Sequence, residues 1–114
     1  MKTTKKIIAT FSAVILFSGI ASAQSDTTIK IKTSAQCEDC QYRIEHNLSF
    51  EKGVKKVKLD LITKEVTIVY NPKKTSAEKL KTAVTKIGYD ADDLPADENA
   101  YNKLPKCCQK GGHE

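Results

Sequence analysis

The stretch Thr27–Leu48, TTIKIKTSAQCEDCQYRIEHNL, decides the fold, because the spacing of its apolar residues changes partway along. From Thr27 to Lys32 apolar and polar residues alternate, with Ile29 and Ile31 on one side, which is the period of a strand buried on one face. Ser34 to Gln36 form a short polar loop. From Glu38 onward Cys40, Ile44 and Leu48 fall four apart, so they line one face of a helix that ends before Gly53. Glu38 and Asp39 stand in its first turn, where acids suit the positive end of the helix dipole.

Beyond Gly53 the alternation returns, with Val57, Leu59 and Leu61 opposite Lys56, Lys58 and Asp60. Thr63-Lys64 makes a turn. A third alternating run from Glu65 to Tyr70 is stopped by Asn71-Pro72, so the two runs form a hairpin. Thr75 and Glu78 have the spacing of a capping box and open a helix with Leu80, Val84 and Ile87 on one face, ended by Gly88. Tyr89 to Leu94 supplies a last short strand, weakened by three aspartates. The order βαββαβ is that of an α+β ferredoxin-like sandwich: a four-stranded antiparallel sheet with two helices on one face.

Upstream, Lys2, Lys5 and Lys6 give a positive start, an apolar run extends from Ile7 to Ile20, and Ala21-Ser22-Ala23 supplies the small residues of a cleavage site. Residues 1–23 are therefore expected to be a signal peptide, and the mature chain to be an exported, periplasmic or secreted protein with no membrane association after cleavage. The apolar run is too short and too interrupted for a membrane span of roughly 20 residues. Residues 24–95 make one small domain. Residues 96–114, with their prolines, acids and Gly111-Gly112, are expected to be a flexible tail.

The formal charge of +5 falls to +2 without the three lysines of the signal peptide. Lysines and acids alternate along the remainder, so the basic stripe interleaved with aromatics that marks a nucleic-acid binder is missing.

The four cysteines bear the chemistry. Cys37 and Cys40 stand three apart and Cys107 and Cys108 are adjacent, so neither pair closes a loop large enough to constrain the unfolded chain much. Adjacent cysteines join only through a strained ring. This is the placement of ligands rather than staples. Cys37 at the end of a loop and Cys40 in the first helical turn can converge on one point, near backbone N–H groups that favour the thiolate. Two thiolates suit soft ions of low coordination number, Cu(I) and Hg(II) first. Zn(II) and Cd(II) require further ligands.

Together, Cys37-x-x-Cys40, Ile44 and Leu48 at helical spacing, Gly53-Val54, Tyr70-Asn71-Pro72 and Gly88-Tyr89 resemble the heavy-metal-associated domain. That domain is shared by copper chaperones, the metal-binding modules of P-type ATPases and the periplasmic mercury-binding protein. The resemblance spans Thr28 to about Leu94. It implies a non-enzymatic metallochaperone with an open two-thiolate site, which takes an ion from a donor protein and hands it by ligand exchange to an acceptor such as a transporter. The resemblance places Tyr89 near the site, and the chain is expected to be a monomer or a dimer bridged by one shared ion. Many members carry a methionine two residues before the first cysteine. Here that position is Ala35, which implies a loop held less firmly.

In the tail, Cys107, Cys108 and His113 form a second group of soft ligands. The thirteen residues from Leu94 to Cys107 reach roughly 43 Å at about 3.3 Å each, ample for the tail to fold back and add a ligand to the same ion. The alternative is an independent tail site. His46, six positions after Cys40, lies away from the ligand face of its helix and is expected to be a solvated residue. A competing function for the same Cys37–Cys40 pair is thiol–disulfide oxidoreductase, against which Glu38 and Asp39 put negative charge between the sulfurs.

Overall fold

The computed structural model describes residues 25–112, so residues 1–23 and His113 lie outside the described residues. Strands β1 (Thr27–Lys32), β2 (Val54–Asp60) and β3 (Glu65–Tyr70) form an antiparallel sheet in the order β1-β3-β2. Helices α1 (Glu38–Ser49) and α2 (Ala77–Ile87) follow β1 and β3 respectively. In β3, Val66, Ile68 and Tyr70 point inward at the two-residue period of a strand. They share one core with Ile31 and Leu59 of the flanking strands and with Cys40, Ile44, Leu48, Leu80 and Val84 of the helices.

Helix α1 is fixed against the edge strand by two side chains of its inner flank. Gln41 Nε2 donates to the Leu59 carbonyl at 2.8 Å, and Glu45 accepts from the Leu59 N–H at 2.7 Å. Both backbone groups of one edge residue are thereby satisfied, and the start of α1 is held in a defined position over the sheet. At α2 the cap lies one residue later than the Thr75–Glu78 spacing implies. Ser76 is the N-cap, and its side chain accepts from the Lys79 N–H at 3.2 Å. Gly88 ends the helix at φ 118°, a left-handed conformation that glycine adopts without a Cβ penalty.

The fourth strand is reduced to isolated bridges, Thr33 with Ala91 and Ala91 with Leu94. Asp92 explains the loss. Its N–H bonds the Lys32 carbonyl at 2.8 Å, while its own carboxylate takes the Lys32 N–H at 2.9 Å. A side chain thus fills the place of a backbone partner, the competition expected of aspartate. The sheet among the described residues has three strands, and the segment Tyr89–Leu94 crosses the end of β1 as a turn.

The segment expected to be a flexible tail instead packs on the domain. It contains α3 (Glu98–Asn102) and a 3-10 turn at Lys106–Cys108, and Leu104 and Cys108 are buried. The Asp97 carboxylate caps α3 through the Ala100 N–H, and the Asp97 N–H bonds the Thr85 carbonyl at the end of α2. Gly88 makes the approach possible. A Cβ there would meet the Ala100 carbonyl oxygen and the Leu104 side chain at 3.1 Å.

Candidate metal centre

Cys37 is the N-cap of α1 and Cys40 lies in its first turn, with the Gln41 N–H closing that turn on the Cys37 carbonyl at 3.0 Å. The two sulfurs are 3.3 Å apart. Cys37 is half-buried and Cys40 fully buried. Despite the missing methionine, the loop before them is tied down. Ala35 is buried, its N–H donates to Thr33 Oγ1 at 3.1 Å, and Ser34 Oγ accepts from the Asp90 N–H at 3.0 Å.

The tail brings a third sulfur to the pair. Cys108 Sγ lies 4.0 Å from Cys37 Sγ, and the sulfurs of Cys37, Cys40 and Cys108 all fall within 4.8 Å of one another. The Cys107 sulfur lies 4.0 Å from that of Cys108, toward the rim of the cluster. The Cys107 thiol faces the Asp39 carboxylate at 3.6 Å, and its backbone carbonyl lies 3.5 Å from Cys37 Sγ. Asp39, Cys107 and Cys108 make a second, more exposed grouping that shares the Cys108 sulfur. No disulfide joins the four cysteines.

Sulfurs bound to one ion at about 2.3 Å stand roughly 4.6 Å apart when two are in line and about 4.0 Å apart when three share a plane. The Cys37–Cys40 separation therefore has to widen by an ångström or so to grip an ion, a movement within reach of side-chain rotation at a half-exposed loop residue. The set fits soft, thiophilic cations: it offers only sulfur at its centre, with carboxylate at its rim.

Electrostatics divide the cysteines. Burial works against ionisation of Cys40, but a backbone hydrogen bond from Gln36 and contacts with Tyr89, Cys108 and Cys37 outweigh it and hold the thiol below its ordinary range. Burial, with the neighbouring Cys40 and Cys37 sulfurs, pushes Cys108 up to about 12. The fold thus favours the thiolate at Cys40 and opposes it at Cys108.

Tyr89 is fully buried against this cluster, with its hydroxyl facing the Cys40 and Cys108 sulfurs without a hydrogen bond of good geometry. Burial and those two neighbours raise its pKa well above the ordinary phenol value, so it stays neutral. Arg43 was not singled out by sequence. Burial disfavours its charge, yet contacts with Cys108, Tyr89 and Asp39 raise its pKa, and its buried Nε has no partner. Its position three residues after Cys40, one helical turn on, was the signal available. His46 is exposed, sandwiched between Tyr42 and Phe50 at ring-centroid distances of 5.2 and 5.1 Å, and takes no part.

The profile of the heavy-metal-associated domain matches residues 33–90. A copper-exporting P-type ATPase of Staphylococcus aureus (strain JH9) is 39% identical over 59 residues, which are 52% of this chain and 7% of the ATPase. The chain therefore spans only a small part of the length of the curated relatives it matches. Among solved structures, the N-terminal domain of a potential copper-translocating P-type ATPase from Bacillus subtilis in the Cu(I)-loaded state is 32% identical, with a TM-score of 0.55 over 59% of this chain and 85% of that one. Oxidised MerP from Ralstonia metallidurans CH34 is 25% identical, with a TM-score of 0.57 over 60% of this chain and 96% of that one. A matched region that runs from the end of β1 through the cysteine pair to Tyr89 and Asp90 settles the relationship: the chain belongs to the heavy-metal-associated domain family.

Proposed function

We propose that this protein carries one soft metal ion, Cu(I) or Hg(II) before Zn(II) or Cd(II), between Cys37 and Cys40, and passes it to an acceptor protein by thiolate exchange. The observation that carries this reading is the pair of sulfurs 3.3 Å apart at the start of α1, one half-exposed and the other buried. An incoming thiolate can bind the ion on the solvent side before Cys37 lets go, so the ion need never enter water. The Cu(I)-loaded ATPase domain among its structural relatives supports Cu(I) as cargo. A transporter carrying a domain of the same family is the natural acceptor or donor.

Residues 1–23 support export, with the exchange taking place in the periplasm. There the pair has to be kept reduced, or protected by prompt metal occupancy, because a disulfide would remove both ligands. The test is anaerobic titration of the reduced chain with Cu(I), and separately with Hg(II), beside the Cys37→Ala, Cys40→Ala double variant. One ion per chain is expected for the parent, and loss of that binding in the variant. Unchanged stoichiometry and affinity in the variant would move the site to the tail.

A further inference from the structure

A site that hands on its ion needs room for the acceptor's sulfur, and on the buried side of this site that room is taken by the chain itself. Cys108 is 2% exposed and is presented by a tight turn in which its N–H bonds the Pro105 carbonyl at 2.8 Å. Leu104, one turn earlier, is buried against Gly88 and anchors the inner end of the segment. The outer end is held by polar contacts. Gln36 Nε2 donates to the Gln109 carbonyl at 2.7 Å, and the exposed Lys110 ammonium meets the Asp90 carboxylate at 2.8 Å. The Lys110–Asp90 pair is solvent-exposed and adds little stability, and the Gln36–Gln109 bond is only half-buried, so the outer end can lift while the core stays folded.

The Cys37–Cys108 separation of 4.0 Å equals the edge expected for three sulfurs around one ion in a plane, about 4.0 Å at metal–sulfur distances near 2.3 Å. We infer that Cys108 is a third, displaceable thiolate ligand of the ion held by Cys37 and Cys40, mounted on a strap (residues 105–110) that has to lift for an acceptor to take the ion. This rests on the reading of Cys37 and Cys40 as the transfer pair. The exchange balances without electron transfer. The acceptor thiol gives up its proton and its sulfur bonds the ion, the bond from the ion to Cys108 breaks, and the departing Cys108 thiolate takes up a proton.

An internal thiolate competes at an effective concentration on the order of millimolar, so an acceptor present at micromolar levels displaces it slowly until the strap opens. The third sulfur guards the ion against stray thiols and makes release depend on a partner that engages the strap. The Cys107 sulfur lies 4.0 Å from that of Cys108 and 3.6 Å from the Asp39 carboxylate, so it groups with those two at the rim and not with Cys37 and Cys40.

The experiment uses residues 24–114, reduced and loaded with one equivalent of Cu(I). X-ray absorption at the copper edge should count three sulfurs in the parent and in Cys107→Ser, but two in Cys108→Ser. Transfer to a synthetic peptide bearing two cysteines should be faster from Cys108→Ser by at least about tenfold. The Gln36→Ala, Lys110→Ala variant keeps every sulfur, so it should retain the three-sulfur count while transferring faster than the parent, which guards against misfolding of the cysteine variant. Two sulfurs in the parent, or equal transfer rates across the set, would overturn the strap and leave the Cys37–Cys40 carrier standing. Binding that survives loss of Cys37 and Cys40 would overturn the carrier itself.

Discussion

Cys108 lies 71 positions after Cys37 in the chain, yet their sulfurs are 4.0 Å apart. The contact is made by three joined pieces of structure: the loop that ends β1, the glycine that ends α2, and the short α3 that turns the chain back across both. A tail that packs in this way has to contribute to stability as well as to chemistry.

Leu104 tests that contribution. It is 7% exposed and belongs to the same core as Ile44 and Val84. Leu104→Ala should cost about 2 to 4 kcal/mol in chemical denaturation of the metal-free reduced protein, the range for truncating a buried leucine. A cost below about 0.5 kcal/mol would mean that the tail is only laid on the surface.

Gly88→Ala probes the same junction from the other side. The new methyl meets the Ala100 carbonyl and Leu104 at 3.1 Å, at a φ of 118° that an alanine rarely adopts. We expect a loss of roughly 1 to 3 kcal/mol together with faster amide exchange across Asp97–Cys108, whereas the strands should keep their protection pattern. Uniform loss of protection throughout the chain would show that the tail and the sheet open as one unit.

How much of this was legible in the sequence follows from which residues repeat. The three strands and two long helices were legible because their buried residues keep a period of two or of four without interruption, as in Val66, Ile68 and Tyr70 or Cys40, Ile44 and Leu48. The last strand failed where Asp92 replaced a backbone partner with its own carboxylate, an effect that depends on tertiary placement and not on pattern. The tail was misjudged because its few apolar residues are scattered among polar ones. Yet Tyr101, Leu104 and Cys108 stand three and four apart, and reading that spacing beside the glycine at 88 would have pointed to a packed segment. The cysteine pair and Tyr89 were legible as a framework. The roles of Arg43 and Gln36 were not, because each acts through a neighbour brought close only by folding.

The outer latch of the tail should respond to acid. The Lys110 ammonium, bonded to Asp90, holds that carboxyl below its ordinary 3.8, and the Ala96 N–H assists. A carboxylate pKa depressed by folding contributes stability that is complete above the unfolded value and is lost as pH falls through the folded one. Acidification below 3.8 should therefore release Lys110, seen by NMR as a change in the Lys110 and Gly111 amide signals before the sheet unfolds. In Asp90→Asn that early step should disappear, and its persistence would assign the transition to another group.

Arg43 supplies positive charge beside Cys108, Tyr89 and Asp39 from within α1. Arg43→Gln keeps much of the length and hydrogen-bonding capacity but removes the charge, so it should weaken Cu(I) or Hg(II) binding by about tenfold, the loss of one charge-assisted contact of roughly 1.4 kcal/mol. Competition against a chelator of known affinity measures this, with Arg43→Lys expected to recover part of it. Equal affinities in all three proteins would mean that the guanidinium only packs against the site.

Tyr89→Phe separates the ring from its hydroxyl. The ring fills the core beneath the cysteines, and the phenylalanine ring preserves that volume. The hydroxyl, buried without a well-formed hydrogen bond, contributes little to the metal-free fold, so stability should stay the same or rise by about 1 kcal/mol. The same hydroxyl helps to keep the Cys40 thiol below its ordinary range, and its removal should raise the pH at which Cys40 ionises. Following the ultraviolet absorbance of the thiolate against pH, in a background where Cys107 and Cys108 are serine, isolates that change to the Cys37–Cys40 pair. An unaltered titration would reduce Tyr89 to a packing residue. A raised one with unchanged stability would identify it as the group that tunes the inner thiolate for the ion.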